Sequence, residues 1–247
     1  MKKNLFVIVL LSALANTSFA QQVKSSRVSQ YIDLTGTIGA SQGTGAFSFV
    51  HNWKWGKNKK FEIGLGARVT SYFGTKKDFL TAGPAKYTRS FTTPFLIFFA
   101  GQEEQNFDTL QVQRPFTNSV NAMINLGYNF NSKWYAGFNI DLVGFTFGRK
   151  SSSIFTSNGV TRTDPSSKPS AFNLLLTGDH DLGSLNSEFY VRYKIAPKWS
   201  LKAVYQFVFV EYEAQSVTQT FSDGKTNDRF RNKANNFGIG VSYFFKQ

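Results

Sequence analysis

The chain has 247 residues, no cysteine, a formal net charge of +13, 27 Phe, 20 Gly and only 6 Pro. The length allows one large β domain or two small ones, and the lack of cysteine excludes disulfides and thiolate metal sites. In an exported chain this charge points to anionic lipid headgroups. Nucleic acid is not expected as a partner, since no binding module surrounds the scattered basic residues.

The first twenty residues, "MKKNLFVIVLLSALANTSFA", predict a secretory signal peptide over 1–20. Lys2 and Lys3 form a basic start, an apolar run follows over 5–14, and Ser18 and Ala20 supply the small residues before the cleavage site. Removing Lys2 and Lys3 leaves a charge of +11 on the predicted mature domain, 21–247. No later apolar run is long enough for a transmembrane helix.

Alternation of apolar and small or polar residues then predicts eight strands. In "FEIGLGARVTSYF", Phe61, Ile63 and Leu65 lie on one face and Glu62 and Gly64 on the other. The strands in chain order are "YIDLTGTIGA", "AFSFVHNWKW", "FEIGLGARVTSYF", "SVNAMINLGYNF", "WYAGFNIDL", "SEFYVRYKI", "WSLKAVYQFVF" and "NNFGIGVSYFF". His51 interrupts the apolar face of the second strand, which indicates a bulge or a local register slip.

The connections between these strands differ in length on the two sides. Short turns are predicted at 56–60, 131–133 and 196–198. The other side has one short link near 42–44 and long loops over 74–118, 148–186 and 216–234. Short turns on one side and long loops on the other are typical of outer-membrane barrels, whose short turns are periplasmic.

The tryptophans give an independent indication of a membrane. Trp53, Trp55, Trp134 and Trp199 all lie on the apolar face, close to a predicted short turn. Indole prefers the headgroup boundary of a bilayer, so these four residues predict an aromatic girdle at the periplasmic boundary.

The last strand has the length and pattern of a membrane-crossing strand. Its alternate residues Phe237, Ile239, Val241, Tyr243 and Phe245 are large and apolar, and small or polar residues separate most of them. At ~3.3 Å per residue and a tilt of ~45°, eleven residues rise roughly 25 Å, the height of an outer-membrane apolar band. An open edge is not tolerated in hydrocarbon, so the strand is predicted to close against the first one.

Together with the signal peptide and the Lys-aromatic turns, the ending "GIGVSYFF" resembles the small outer-membrane β-barrel proteins of Gram-negative bacteria. The style of "GFNIDLVGFTFG" is similar to those of the Bacteroidota. The resemblance implies an all-β, eight-stranded antiparallel transmembrane barrel with both termini periplasmic. It also implies that outer-membrane lipid, lipopolysaccharide and the barrel-assembly machinery are partners, the last through the terminal strand. It leaves activity open, because this group includes structural barrels, adhesins, channels and a few enzymes.

The predicted interior carries four acidic and four basic side chains. They are Asp33, Glu62, Asp141, Glu188, Arg68, Arg192, Lys194 and Lys202. Arg68 and Asp141 each lie seven residues from a short turn, so they are predicted to pair. The balance favours a salt-bridged filling of a narrow barrel; a gated ion path is the alternative.

One stretch, "GDHDLGSLNSE", combines Asp179, His180, Asp181, Ser184 and Glu188. His, Ser and an acid can form a hydrolase triad, and an acidic loop can bind Ca²⁺. Closeness in sequence sets no geometry, so we expect a turn, with no catalytic residue, metal or cofactor.

Two long-loop segments, "PFLIFFAG" and "AFNLLLTG", are unusually apolar. They are predicted to pack together as a cap over the extracellular mouth; a site for a hydrophobic ligand or partner is the alternative. The cap residues are Phe95, Leu96, Phe98, Phe99, Phe172, Leu174 and Leu176. The sequence thus predicts a structural or surface-interaction barrel that is not an enzyme. A small-solute or hydrophobic-compound channel and a lipid-modifying hydrolase stay open, as does an unidentified extracellular ligand or protein partner.

Overall fold

The computed structural model describes residues 26–93, 96, 100–176 and 181–247. The predicted signal peptide lies outside these residues. The described chain is built almost entirely of antiparallel β-strands, which confirms the all-β antiparallel prediction. The strands are β1 (Val28–Gly39), β2 (Gln42–Trp55), β3 (Phe61–Gly74), β4 (Lys76–Thr81), β5 (Thr109–Gln113), β6 (Phe116–Asn129), β7 (Trp134–Gly148), β8 (Ser151–Ser157), β9 (Val160–Pro169), β10 (Phe172–Leu174), β11 (Leu185–Ala196), β12 (Trp199–Glu213), β13 (Gln219–Thr220), β14 (Thr226–Asn227) and β15 (Arg229–Lys246). A helical turn α1 (Ala85–Thr88) and a 3₁₀ turn (Glu104–Asn106) lie between β4 and β5.

The eight long strands pair in a complete cycle, here called the eight-strand ring. Its order is β1–β2–β3–β6–β7–β11–β12–β15, and β15 pairs back with β1. One end of the ring, here called the short-turn end, carries the turns 56–60, 130–133 and 197–198 and both ends of the described chain. The opposite, long-loop end carries the short link 40–41 and all the longer connections. The alternation in connection length therefore matches the sequence pattern.

The outer face of this ring is apolar and its inner face is polar. On β15, Phe237 and Ile239 are 66% and 76% exposed, whereas Asn236 before them and Ser242 after them are fully buried. The alternation follows from the strand itself, since successive side chains point to opposite faces. A soluble protein would place these two sets of side chains the other way round.

Beyond the long-loop end, β12 and β15 continue and form a second cycle with four shorter strands, here called the six-strand ring. Its order is β12–β15–β4–β5–β8–β9, and β9 pairs back with β12. Its centre is apolar and buried: Phe79, Leu110, Val112, Phe155 and Phe230 belong to one cluster. The segments predicted as loops over 74–118 and 148–186 therefore supply wall and core for this second ring.

A bulge in β7 changes one predicted face. Met123 pairs with Asp141 and Ala122 pairs with Val143, so Leu142 is an extra residue on its strand. The alternation reverses there, and Val143 instead of Leu142 takes the next exposed outward position. The alternation in "WYAGFNIDL" predicts Leu142 on the outer face with Trp134 and Ile140. That prediction is wrong, because one extra residue shifts the register.

Candidate functional site: the charged interior of the eight-strand ring

Arg68 on β3 lies at the centre of a buried cluster. It donates to Asp141 Oδ1 at 2.6 Å from Nη2 and to Asn139 Oδ1 at 2.6 Å from Nη1, and it also donates to the Asn186 carbonyl. Glu188 Oε1 lies 3.4 Å from its Nη1. Arg68 is 1% and Asp141 0% exposed, so protein groups replace water around both charges. The structure thus places together the two residues that the sequence paired.

The cluster continues as a chain of alternating charges. Lys202 Nζ lies 2.8 Å from Glu188 Oε2 and 3.2 Å from Asp33 Oδ2. Arg192 Nη2 lies 3.2 Å from the same oxygen of Asp33. The full order is Asp141, Arg68, Glu188, Lys202, Asp33 and Arg192. Three carboxylates therefore balance three cations, and the links join β3, β7, β11, β12 and β1 across the ring.

Aromatic rings surround the last cation of this chain. The Arg192 guanidinium carbon lies 4.2 Å from the centre of the Tyr31 ring and 5.0 Å from that of Tyr190. Tyr135 and Phe244 lie at 5.1 and 5.3 Å. Cation–π contacts of this kind stabilise a desolvated guanidinium. Glycines make room for the tyrosines, since a Cβ at Gly127 would lie 1.7 Å from the Tyr135 hydroxyl.

Two of the eight predicted charges behave differently from the other six. Glu62 is buried but accepts hydrogen bonds from Ser29 Oγ at 3.0 Å, Asn52 Nδ2 at 2.7 Å and Asn129 Nδ2 at 2.9 Å. Lys194 is half-buried at the short-turn end and donates to the Gln247 side chain. These two residues are thus hydrogen-bonded to neutral groups and lie outside the ion-pair chain.

Neutral polar residues fill most of the remaining interior. Gln206 Oε1 accepts from Thr37 Oγ1 at 2.7 Å, Thr44 Oγ1 at 3.0 Å and Asn236 Nδ2 at 3.0 Å. Asn121 Nδ2 donates to Asp141 Oδ2 at 2.7 Å. Sequence reasoning did not single these residues out, although all but Thr44 lie on inward positions that the alternation defines. Thr44 belongs to the predicted short link near 42–44, and the structure places it in β2.

The interior holds little free space. A cavity of about 80 Å³ opens at the short-turn end, lined by Lys54, Lys133, Lys194 and Arg192 among others. A second, of about 10 Å³, lies near Thr70 and Ser119, on the side of the six-strand ring. The side chains of the ion-pair chain and the neutral polar side chains described above lie between these two cavities. The described interior is therefore packed with side chains.

The four tryptophans lie together at the short-turn end. Trp53, Trp55, Trp134 and Trp199 are all exposed on the outer face. Trp134 packs on Tyr193 at 4.8 Å and Trp199 on Tyr243 at 4.8 Å between ring centres. His51 keeps the outward register and does not start a bulge, since β1 and β2 pair without interruption. Its ring instead packs on Trp53 at 4.7 Å between ring centres, and its Nδ1 is hydrogen-bonded to Gln30 Nε2 at 2.8 Å.

The terminal strand presents its five alternate apolar residues outward. Phe237, Ile239, Val241 and Phe245 are exposed, and Tyr243 packs between Trp199 and Phe245. Phe244, on the opposite face, lies against Tyr31 at 5.0 Å between ring centres. The two neighbouring phenylalanines therefore have separate roles, one outside and one closing the short-turn end.

The predicted loop cap is wrong where it can be checked. β10 pairs with β7, so Phe172 and Leu174 face outward on the wall, and Phe172, 43% exposed, packs on Phe145 at 5.8 Å between ring centres. Leu96 and Leu176 are exposed. Phe95, Phe98 and Phe99 lie outside the described residues. The apolar core over the ring is built instead by the six-strand ring, because its short strands alternate apolar residues inward.

The hydrolase-like stretch is not assembled into a described site. Asp179 and His180 lie outside the described residues. Asp181 Oδ1 accepts the Leu176 amide at 2.7 Å, and Glu188 belongs to the ion-pair chain. Across residues 26–93, 96, 100–176 and 181–247, no group of three or more His, Cys, Asp or Glu residues could hold a metal ion.

A buried aspartate in the six-strand ring was missed by sequence reasoning. Asp164 on β9 accepts from Ser167 Oγ at 2.6 Å, the Gln215 amide at 2.8 Å and Ser216 Oγ at 2.9 Å. Burial opposes its ionisation, but these hydrogen bonds outweigh burial and lower the pKa of the carboxyl from its ordinary value. The contacts tie β9 to the segment that follows β12.

Asp164→Asn is expected to destabilise the six-strand ring by about 1–3 kcal/mol at pH 7, because charge-assisted hydrogen bonds are lost. A lowered folded pKa stabilises the wild type above the unfolded pKa, near ~3.9, and this contribution disappears as the pH falls through the folded value. Urea unfolding, followed by a fluorophore on Ser222→Cys, should show a larger acid-dependent loss in wild type and in the Asp228→Asn control than in Asp164→Asn, where the lowered pKa of Glu211 still gives part of the loss. The same acid response in all three chains would contradict the assignment.

Comparisons with known proteins give only distant similarity. No protein-family model matches the chain, and no curated protein matches it significantly. Among solved structures, Neisserial surface protein A (11% identity, TM-score 0.38) matches over 88% of this chain and 97% of its own. Ail of Yersinia pestis (10% identity, TM-score 0.34) matches over 90% and 99%, and the toluene transporter TodX of Pseudomonas putida (9% identity, TM-score 0.23) over 94% and 93%. With TM-scores this low, these similarities do not support a conclusion about the role of this chain. The helical segments in the described part of the chain are too short or too polar to cross a membrane.

Proposed function

We propose that the chain is an integral outer-membrane protein whose eight-strand ring is a closed transmembrane β-barrel. The observation that carries the proposal is the inverted distribution of polarity: large apolar side chains are exposed outside and paired charges are buried inside. Water would not favour such a surface, whereas hydrocarbon would. The complete cycle of strand pairing leaves no unpaired edge within this ring, as a bilayer requires.

The orientation follows from the two ends. The short-turn end, with the four tryptophans and both ends of the described chain, is periplasmic, and the six-strand ring is extracellular. Phe237 to Phe245 bounds the apolar band on β15, and nine residues tilted at ~40° rise roughly 23 Å, close to an outer-membrane band. The exposed apolar face of β15 also provides the surface that the barrel-assembly machinery would read.

The role that the interior supports best is structural or surface interaction, not transport. The ion-pair chain crosses the ring, the described cavities on either side of it measure about 80 and 10 Å³, and an apolar core covers the long-loop end. A channel would need a continuous water path and would be favoured by a surplus of one charge along it. The ion-pair chain instead carries three charges of each sign. The extracellular ring is the part that is placed to meet a partner.

We expect the mature protein to fractionate with the outer membrane and to migrate faster on a gel before boiling than after it, because a closed barrel resists detergent. Recovery as a soluble periplasmic monomer would reject the proposal.

Liposomes that contain the folded protein are expected to swell no faster in small sugars than protein-free liposomes, because the interior is filled. An open porin in the same lipid is the control. Swelling at the porin's rate would favour the channel alternative and reject the structural role.

A further inference from the structure

The exposed charged side chains of the short-turn end are all cationic. In the stretches of this end, 26–31, 52–62, 128–136, 192–200 and 242–247, Glu62 is the only acidic residue. Glu62 is 5% exposed and is hydrogen-bonded inside the ring, so it adds no charge to the outer surface. Five exposed cations of this end form no ion pair with a described residue, and they are here called the cationic rim: Arg27, Lys57, Lys133, Lys198 and Lys246.

The long-loop end differs, because its surface mixes charges of both signs. Lys86 Nζ lies 3.5 Å from Asp223 Oδ2, and Lys168 Nζ lies 3.7 Å from Glu213 Oε2. The interior is also balanced, with three charges of each sign in the ion-pair chain. A charge of one sign is therefore a property of the short-turn end.

The cationic rim encircles the whole short-turn end. Arg27 comes directly before β1, and Lys246 ends β15, which pairs with β1. Lys57, Lys133 and Lys198 lie in the turns that join β2 to β3, β6 to β7 and β11 to β12. These four places follow one another around the eight-strand ring. A lipid leaflet surrounds a barrel on all sides, whereas a globular partner would cover one side, so this distribution favours lipid.

The cationic rim lies directly beyond exposed aromatic residues of the outer face. Lys198 precedes Trp199, Lys246 follows Phe245, and Lys57 lies two residues after Trp55. Aromatic rings in this arrangement lie at the boundary between hydrocarbon and headgroups. One or two further residues add about 3–7 Å along the chain, and the flexible lysine stems extend toward water. The ammonium groups therefore reach the depth of the lipid phosphates.

We propose that the cationic rim binds the phosphates of anionic phospholipids in the periplasmic leaflet and enriches these lipids around the barrel. The inference rests on the proposed outer-membrane location and orientation. Phosphatidylglycerol carries a net negative charge, whereas phosphatidylethanolamine carries a cation of its own and gains less from the rim. Cations at a membrane surface attract anionic headgroups, and salt screens this attraction.

The four tryptophans make this lipid shell measurable, because all of them lie at the short-turn end. The folded protein is placed in vesicles with equal amounts of the two phospholipids, and brominated chains, which quench tryptophan on contact, are carried by only one of the two. Wild type is expected to favour phosphatidylglycerol about three- to fivefold, less as salt is raised. The variant K57Q/K198Q/K246Q should reduce this preference below about twofold. The matched control K76Q/K150Q/K225Q removes three exposed lysines of the long-loop end and should keep the preference of wild type.

Equal quenching by the two lipids in wild type, or an equal loss of preference in the control variant, would overturn the proposal. Binding of purified peptidoglycan that the rim variant weakens, without any lipid preference, would also overturn it, in favour of an acidic polymer as the partner. Heat-dependent gel migration is measured on the same vesicles. Failure of every chain to insert would reject the outer-membrane proposal itself, whereas normal insertion without lipid preference would reject only this surface.

Discussion

Arg68→Met is expected to be the most damaging single change in the eight-strand ring, with a loss of about 3–5 kcal/mol in the free energy of unfolding. The variant leaves Asp141 without its cation and removes one of the two cations that face Glu188. Asp141 is fully buried and keeps only neutral donors, Asn121 and the Asn186 amide, at 2.7 and 3.0 Å. A buried charge without a counter-charge is the costly state.

Asp141→Leu is expected to cost less, because Arg68 keeps Glu188 at 3.4 Å and Asn139 at 2.6 Å. The double variant R68M/D141L removes both charges and should cost less than Arg68→Met alone, since replacing a whole buried pair by apolar groups is often close to neutral. Urea unfolding in lipid vesicles, followed by tryptophan fluorescence, measures the free energy of unfolding of all three variants. Lys76→Met, at an exposed position, is the control. Strictly additive losses would show that the pair is not energetically coupled.

The strands of the eight-strand ring were readable from sequence because one physical rule governs each of them. A strand between hydrocarbon and a narrow polar interior must alternate large apolar with small or polar residues, as Phe61 to Phe73 and Phe237 to Phe245 do. The same alternation assigned Arg68 and Asp141 to the interior at similar depth. A contact between Arg68 and Asp141 is then expected, because the narrow interior offers few other groups that can balance a buried charge.

The strands of the six-strand ring could not be predicted from alternation. β5 and β8 have five and seven residues, and each offers only one or two buried apolar positions: Leu110 and Val112 on β5, and Phe155 on β8. Such short strands are stable only when their partners are present, so the local pattern resembles a loop. The bulge at Leu142 likewise has no local signal, because β10 replaces β11 as the neighbour of β7 there.

The ion pair in which Arg231 Nη2 lies 2.8 Å from Glu211 Oε2 could have been predicted by a different argument. Trp199 pairs with Tyr243, and the register continues without interruption to Glu211 opposite Arg231. Extending the last hairpin beyond the membrane would therefore have paired these two charges from sequence alone. The predicted strands end at the predicted membrane boundary. The continuation of β12 and β15 into the six-strand ring is therefore absent from the sequence prediction.

Phe230→Ala is expected to unfold the six-strand ring while the eight-strand ring stays folded. Phe230 is fully buried, lies on the shared ribbon opposite Thr81 of β4, and packs on Phe155 at 5.7 Å between ring centres. Truncating a buried phenylalanine costs about 3–5 kcal/mol, a large fraction of what a small apolar core supplies. The eight-strand ring does not depend on that core, because it is held by its own ladder and by the ion-pair chain.

Trypsin added to intact cells measures this difference. In Phe230→Ala the bond that follows the exposed Arg162 on β9 should be cleaved rapidly, while the eight-strand ring keeps its heat-dependent gel migration. Phe91→Ala, which truncates an exposed phenylalanine, is the control and should resist cleavage as wild type does. Loss of heat-dependent migration together with cleavage would mean that the two rings fold as one cooperative unit. Cleavage with unchanged migration would show that the six-strand ring can unfold while the eight-strand ring stays folded.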